Sequence, residues 1–137
     1  MVLTAADEDT AVVVDIAPGQ ASEAPMLGGL LAGTLRRAPA VDELVADRGF
    51  DGDDQRAACL GRGVVGNIPS KANRLDPWPF DPAGYRERNR VERLFAKLKP
   101  FRRAATRYEK RGRMFLGVLH LALGFIRLRA TTNVNRA

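Results

Sequence analysis

The hydrophobic positions of the first forty residues change from strand-like runs to a helical spacing. Short aliphatic and β-branched runs at 2–5 and 11–16 enclose an acidic stretch, which predicts a β-hairpin with a polar turn. Pro18 and Gly19 then end the second strand. From 23 to 35 the large apolar residues recur every three or four positions, which predicts a helix weakened by three glycines and ended before Pro39.

The middle of the chain has the pattern of a strand, a helix and a second strand. The predicted elements are a strand over 43–46, a helix from Asp53 or Asp54 to about 62, and a strand over 64–68. A crossover of this kind implies that the two strands pair in parallel. Asp47 directly follows the first strand, and a carboxylate at a strand end is a common active-site position in open sheets.

A proline-rich segment, 69–82, follows the second strand and predicts a loop with basic and polar residues. We expect this loop to lie over the site that Asp47 indicates or, because it carries Lys71 and Arg74, to contact a polyanion such as DNA. Trp78 within it has two interpretations, since its ring could stack on a base or anchor the loop.

Two helices are predicted in the last third of the chain. The first covers 86–99 and ends at Pro100, and a basic connector over 101–113 follows it. The second covers 111–129 and is apolar nearly all round, which predicts a buried helix that is too short to span a bilayer comfortably. Residues 131–137 predict a disordered tail, which leaves 1–130 as a single domain.

The helix over 86–99, extended back to Tyr85, has three different faces. At 100° per residue Tyr85, Arg88, Glu92 and Lys99 fall within an arc of about 60°. The apolar stripe beside them consists of Val91, Leu94, Phe95 and Leu98. The third face is cationic and consists of Arg86, Arg90, Arg93 and Lys97. A single acid among cations suggests chemistry on nucleic acid, whereas the alternative is a solvated helix in which Glu92 merely pairs with Arg88.

The charges are segregated along the chain. The net charge of +6 combines 11 acids and 4 bases in residues 1–60 with 18 bases and 5 acids in residues 61–137. The cationic density is highest between 86 and 113, which favours a polyanionic partner such as DNA or RNA over an anionic membrane surface. The predicted phosphate contacts are Arg86, Arg90, Arg93, Lys97, Arg102, Arg103 and Arg107.

Cysteine and histidine usage excludes several kinds of site. With Cys59 as the single cysteine an internal disulfide is impossible, and a reducing cytoplasm fits best. One cysteine and one histidine, His120, are too few for a structural zinc site. No secretory signal opens the sequence, so we expect a protein without a membrane partner.

Three ordered segments together resemble the DDE transposases of bacterial insertion sequences, specifically the IS-five-like group. They are ADRGFD (46–51), IPSKANR (68–74) and YRERNRVERLFAKLK (85–99). The segment FRRAATRYEK (101–110) and the apolar helix after it, with His120 and Leu121, are similar to the same group. The likeness covers roughly residues 2 to 128.

The resemblance implies part of an RNase H-like core, an α/β fold with a mixed sheet and flanking helices. It also implies that carboxylates hold two divalent ions, Mg²⁺ or Mn²⁺, for DNA strand cleavage and transfer, since hard cations prefer oxygen ligands. Asp47 then matches the second family acid and Glu92 the third, both as metal ligands, while Tyr85, Arg88 and Lys99 complete the signature.

The sequence departs from the family at its start. The strand with the first catalytic aspartate lies upstream of the opening hairpin in the family and is absent here. Asp7, Asp9 and Asp15 are the early acids, and they are predicted as turn or solvent-facing residues. We therefore expect the second part of a transposase, inactive without an upstream half and oligomeric when complete, which acts on element ends and target DNA in the bacterial cytoplasm at the nucleoid.

Three alternatives remain open at this point. The chain could be the downstream frame of a two-frame element, or a degenerate remnant without a stable fold. It could also be a non-catalytic DNA-binding fragment that inhibits transposition. Salt-sensitive binding without metal-dependent turnover would indicate the DNA-binding fragment, and the absence of a cooperative melt would indicate the remnant.

Overall fold

The computed structural model describes residues 2–5, 7, 9–16, 22–101 and 112–134. Within these residues the regular structure consists of four short strands, five α-helices and short 3-10 turns. The strands are β1 (Val2–Ala5), β2 (Ala11–Asp15), β3 (Glu43–Val45) and β4 (Val65–Asn67). The helices are α1 (Leu27–Arg37), α2 (Asp53–Leu60), α3 (Pro82–Tyr85), α4 (Asn89–Leu98) and α5 (Gly112–Val134). Short 3-10 turns cover Ala24–Met26, Arg48–Phe50 and Arg86–Arg88.

The predicted hairpin is confirmed. Strand β1 pairs antiparallel with β2, and Val2 lies opposite Asp15. Between the strands, the Asp7 carboxylate accepts hydrogen bonds from the Asp9 amide at 2.8 Å and from the Thr10 hydroxyl at 2.9 Å. Asp15 is exposed at the strand end. These early acids therefore have the turn and surface positions that the sequence predicts.

The predicted parallel pair is also confirmed. Strand β3 pairs with β4, with Leu44 opposite Gly66, and α2 forms the crossover between them. Helix α2 ends near Gly61, and Gly63 adopts a left-handed φ of 68° that lets the chain turn back into β4. Each of these strands is a residue or two shorter than the apolar run that predicted it.

The single mixed sheet expected from the family resemblance is not formed by the described residues. The α/β class is confirmed, but the hydrogen bonds define two separate two-stranded sheets, β1 with β2 and β3 with β4. Merging them would need a strand that pairs with an edge of each, and the part of the chain with described coordinates contains no such strand.

Each sheet has its own hydrophobic core. The hairpin core lies between β2, α4 and α5, and its buried members are Val14, Leu94, Leu98, Phe115, Leu119, Ala122, Leu123 and Ile126. The core of the parallel pair lies between α1, α2 and β4, and its buried members are Leu27, Leu31, Cys59 and Val64. Helix α1 also contacts the hairpin. Gly33 lies at this contact, where a Cβ would be only 3.2 Å from a Val13 methyl group, so the absence of a side chain allows the close approach.

Helix α5 differs from its prediction in length. It runs for 23 residues to Val134, so residues 131–134 are helical where a disordered tail was expected, and 135–137 lie outside the described residues. Over Gly112–Thr132 the helix is long and apolar enough to cross a membrane by length and composition alone. The core helices of soluble proteins meet the same criterion, and α5 contributes Phe115, Leu119 and Ile126 to the hairpin core.

Candidate functional site

The helical segment that carries the predicted signature begins at a strong cap. The Asp81 carboxylate accepts hydrogen bonds from the amides of Ala83 at 2.9 Å and Gly84 at 2.8 Å, and Pro82 occupies the first turn. Both features favour helix initiation, since the first amides lack helical partners and proline needs none. The segment then continues through α3, a 3-10 turn and α4 instead of one regular helix over 86–99.

The start of this segment is joined to the parallel sheet by a buried amide. Asn67, at the end of β4, donates a hydrogen bond to the Asp81 carbonyl at 3.0 Å and accepts one from the Asp81 amide at 3.1 Å. Asn67 is buried, with 3% of its surface exposed. The two hydrogen bonds close the proline-rich loop at its base and fix where the signature helix starts.

The structure brings three of the four signature residues together. Arg88 Nη2 donates to Glu92 Oε1 at 2.5 Å, and the Arg88 guanidinium carbon lies 5.8 Å from the centre of the Tyr85 ring. The i,i+4 ion pair of the alternative interpretation is therefore present. Lys99 is exposed at the C-terminal cap of α4, beyond the last α-helical residue, and no described contact joins it to the other three.

Asp47 lies immediately after β3, as predicted. Its backbone is extended, and its Oδ1 accepts a hydrogen bond from the Gly49 amide at 2.8 Å, which starts the 3-10 turn Arg48–Phe50. The side chain is exposed. This hydrogen bond uses one acceptor site of the carboxylate, and an ionised carboxylate has further acceptor sites for a ligand.

Asp47 and Glu92 line the same cleft. This cleft has a volume of about 510 Å³ and lies between β3, α1, α4 and one residue of the hairpin, Val12. Its apolar wall consists mainly of Leu27, Leu30, Leu31, Leu44, Val45, Val91 and Phe95. Its charged residues are Glu23, Glu43, Asp47, Glu87, Glu92, Arg88 and Arg90.

The described residues do not make a complete metal site. No group of three or more histidine, cysteine, aspartate or glutamate side chains within 2–5, 7, 9–16, 22–101 and 112–134 is placed to hold an ion. Asp47 and Glu92 offer hard oxygen ligands, which suit Mg²⁺, but one oxygen of each already accepts a hydrogen bond. Two such carboxylates are too few to enclose two ions without a further ligand.

The predicted phosphate-contacting residues of the helix have different surroundings. Arg86 and Arg93 are exposed, Arg90 forms an ion pair with Glu87, and Lys97 Nζ lies 2.7 Å from Asp9 Oδ1 in the hairpin turn. Arg102, Arg103 and Arg107 lie outside the described residues. The acidic hairpin turn therefore already neutralises part of the cationic side at Lys97.

A buried carboxylate, Asp51, forms a network that the sequence patterns did not reveal. Its side chain is fully buried and accepts three hydrogen bonds, from Arg56 Nε at 2.7 Å, the Lys71 amide at 2.7 Å and Arg74 Nε at 3.0 Å. Arg56 also donates to the Ile68 carbonyl at 2.8 Å, and Arg74 also pairs with Asp53 at 2.8 Å. Asp51 lies in the ADRGFD segment and Arg74 in the IPSKANR segment, whereas Arg56 lies in neither, and nothing in the spacing of these residues showed that they meet.

The network sets the protonation of its central group. Burial by itself would raise the pKa of Asp51, but the Lys71 amide and the guanidinium groups of Arg56 and Arg74 outweigh it and lower the pKa to about 2. Asp51 is therefore ionised at neutral pH. By contrast, burial raises the pKa of the Cys59 thiol, which suits its place in the core rather than a reactive role.

Trp78 packs against the same network. The Arg56 guanidinium carbon lies 5.2 Å from the centre of its ring, and the Trp78 amide donates to the Ser70 hydroxyl at 3.1 Å. Trp78 as a whole is 38% exposed. These contacts favour the loop-anchor interpretation over base stacking. His120 is exposed and its Nδ1 lies 2.8 Å from the Leu116 carbonyl, which agrees with a surface helix position.

Comparison with known proteins adds to this picture. Residues 44–129 match the family described as "Transposase DDE domain". Over 113 residues, which are 82% of this chain and 84% of the relative, the sequence is 34% identical to a Brucella ovis protein assigned as a transposase for insertion sequence element IS6501. No solved structure matches this chain. The matched range begins within β3 and contains Asp47, the Asp51 network and the whole signature segment.

Proposed function

Because this chain belongs to the DDE transposases of insertion sequences, we propose that it forms the part of a transposase that supplies Asp47 and Glu92 to the site of DNA strand cleavage and transfer. One observation carries this proposal. The two acids come from segments 45 residues apart in the sequence, yet both residues line a single cleft.

The chemistry of the two acids fits the proposed role. DDE transposases generally use divalent metal ions, and carboxylate oxygens are the ligands that Mg²⁺ and Mn²⁺ prefer. Such ions, when bound, would supply activation of the attacking hydroxyl and charge stabilisation at the leaving oxygen of a phosphodiester. Asp47 and Glu92 would hold the metal, while Arg88 orients the Glu92 carboxylate and neutralises charge on a nearby phosphate.

A further acid has to come from outside the described residues. We propose that it lies on a strand of an upstream half, in agreement with the family resemblance. That strand would occupy the cleft between the two sheets, where Val12 lies on one side and Leu44 and Val45 on the other. Both sheets have only two strands in the described part of the chain, so each has a further edge at which a strand could pair.

The surroundings of the cleft are consistent with DNA as the partner. Arg86 and Arg93 are exposed on the signature segment, and Lys71 is exposed on the loop after β4. Such residues bind the phosphate backbone with a strong dependence on salt. As a transposase the complete protein would act as an oligomer on element ends and target DNA, at the nucleoid in the bacterial cytoplasm.

The proposal is tested by restoring the upstream half, fused or in trans, and measuring Mg²⁺-dependent nicking of DNA with insertion-sequence ends. We expect Glu92→Gln to abolish nicking, because the amide cannot replace an anionic metal ligand, while DNA binding changes by less than about twofold. Asp47→Asn should have the same effect.

Glu87→Gln is the matched control, since Glu87 belongs to the same helical segment and lines the same cleft. This variant should keep nicking at a rate close to the unmodified protein. If Glu92→Gln still cuts, or if Glu87→Gln is the variant that fails, the role given to Glu92 is wrong.

A second function is supported by a specific observation. Since the described residues gather no group of three metal-binding side chains, a non-catalytic fragment that occupies element ends or inhibits the complete enzyme also fits. It predicts salt-sensitive DNA binding and no metal-dependent turnover with any upstream partner. The nicking experiment therefore distinguishes the two functions.

A further inference from the structure

We infer that Asp51 is the positioning residue that fixes both the Asp47 turn, which lines the cleft, and the loop after β4. Its effect on metal binding rests on the proposed function, because Asp47 is a metal ligand only if that function is correct. Its effect on the geometry of the turn does not depend on that function and is tested separately below.

The turn between Asp47 and Asp51 is short and internally bonded. The Phe50 amide donates to the Asp47 carbonyl at 3.0 Å, and the Asp51 amide donates to the Arg48 carbonyl at 3.2 Å. The Gly49 amide donates to the Asp47 carboxylate itself. With so few free torsions between the two aspartates, holding the Asp51 end also fixes where the Asp47 carboxylate lies.

The Asp51 end is held by contacts from two other parts of the chain. Arg56 reaches it from α2, and the Lys71 amide and Arg74 reach it from the loop after β4. Arg56 in turn holds the Ile68 carbonyl and packs against Trp78, so one carboxylate joins the turn, the helix and the loop. Breaking it leaves the Arg56 cation buried without its charged partner.

Asp51 is not itself a ligand in the cleft. Its side chain has no exposed surface, and both of its oxygens accept hydrogen bonds from protein donors. It is not among the described residues that line the cleft, whereas Asp47, four residues earlier, is. Its influence on chemistry therefore passes through the Asp47 turn and the loop after β4.

The first experiment measures the backbone order of the turn by NMR relaxation in the full chain. In Asp51→Asn we expect the order parameter of the Gly49 amide to fall from about 0.85 to below about 0.6, because the turn loses its anchor. The amide of Leu94 in α4 should keep its value. Asp53→Asn is the control, since it removes only the exposed outer ion pair of Arg74.

A role limited to overall stability would give a different result. In that case Asp51→Asn would lower the melting temperature but leave the native-state order parameter of Gly49 unchanged, and the inference would be overturned. If Asp51→Asn does not fold, Arg74→Gln replaces it, because it removes one donor and leaves the Arg56 pair intact. It should loosen the same amides to a smaller extent.

The second experiment restores the upstream half, titrates the complete protein with Mn²⁺ and follows the free ion by electron paramagnetic resonance. We expect Asp51→Asn to weaken Mn²⁺ binding by about 10-fold to 100-fold, as for other residues that orient a metal ligand, and Asp53→Asn to leave it unchanged. Equal affinity in Asp51→Asn and the unmodified protein overturns the link to metal binding. Absence of Mn²⁺ binding in the unmodified protein counts against the proposed metal site instead, and the order parameters still decide the positioning role.

Discussion

Asp51 carries a negative charge where solvent does not reach, and the cost is offset by three donors directed at its two oxygens. A buried ion pair of this kind adds little net stability compared with an apolar contact, but it is costly to break once formed. Its value here is geometric, since the donors come from a helix and a loop that are separate in the sequence. The same residue gives the chain a defined sensitivity to acid.

The lowered pKa of Asp51 predicts a loss of stability at acidic pH. Because the folded-state pKa is about 2, below its value in the unfolded chain, the stabilisation is fully present above about pH 4 and is lost as the pH falls towards 2. The expected loss is about 2 kcal/mol from this group, and the lowered pKa of Asp7 acts in the same direction.

Urea unfolding at a series of pH values between about pH 7 and pH 2 measures this loss. Asp51→Asn is less stable throughout but should have a flatter pH dependence in the acidic range, since it no longer has the titrating group. Parallel curves for the two proteins would show that other carboxylates cause the acid sensitivity.

At the scale of elements, α5 shows how composition and burial diverge. Its sequence is apolar nearly all round, yet the structure buries only one side, with Phe115, Leu119 and Ile126 in the hairpin core. Large apolar residues on the other side are exposed, among them Leu121 at 78% and Leu128 at 68%. The helical repeat places the two sets on different faces, so residues of the same type contribute very differently to the free energy of unfolding.

Two leucines on α5 test this assignment directly. Leu119→Ala should lower the free energy of unfolding by about 2–5 kcal/mol, because it opens a cavity in the hairpin core, where Leu119 is fully buried. Leu121→Ala is the matched control and should change it by less than about 0.5 kcal/mol. Chemical denaturation of both variants provides the measurement, and similar losses would mean that both faces of α5 are covered in solution.

At the scale of the whole molecule, opposite charges from the two ends of the chain meet. The acidic turn of the hairpin contributes Asp9, which pairs with Lys97 of α4 across 88 positions of sequence, and Asp7, which lies 3.9 Å from Arg127 of α5. The segregation of acids and bases along the chain therefore partly cancels in the fold. This cancellation reduces the positive charge that the surface around the hairpin turn offers to a polyanion.

Removing this cancellation should strengthen binding to DNA. We expect Asp9→Asn to increase the affinity for a DNA duplex by about twofold to tenfold at low salt, because Lys97 loses this acidic partner, and the gain should disappear at high salt. Asp15→Asn removes the same charge from the far end of the hairpin and should have a smaller effect. Fluorescence anisotropy at several salt concentrations measures both, and equal gains would show that only net charge matters.

The sequence by itself determined the local elements and the family. The hairpin, the β-α-β unit and the signature segment depend on spacing, capping and turn residues that act over a few positions, so their patterns can be read directly, with boundaries that shift by a few residues. Asp47 at a strand end and the Arg88–Glu92 pair are local in the same sense. The transposase resemblance rested on ordered motifs, and the family match confirms it.

Only the tertiary structure decided which distant groups meet. The burial of Asp51 between Arg56 and Arg74, the pairing of Lys97 with Asp9 and the common cleft of Asp47 and Glu92 depend on the packing of separate elements. The division into two sheets is of the same kind. The backbone groups at the edge of every strand are alike, so the residues of one strand do not by themselves specify which strand pairs beside it. Short-range preferences fix elements, whereas burial and charge pairing between elements fix the site.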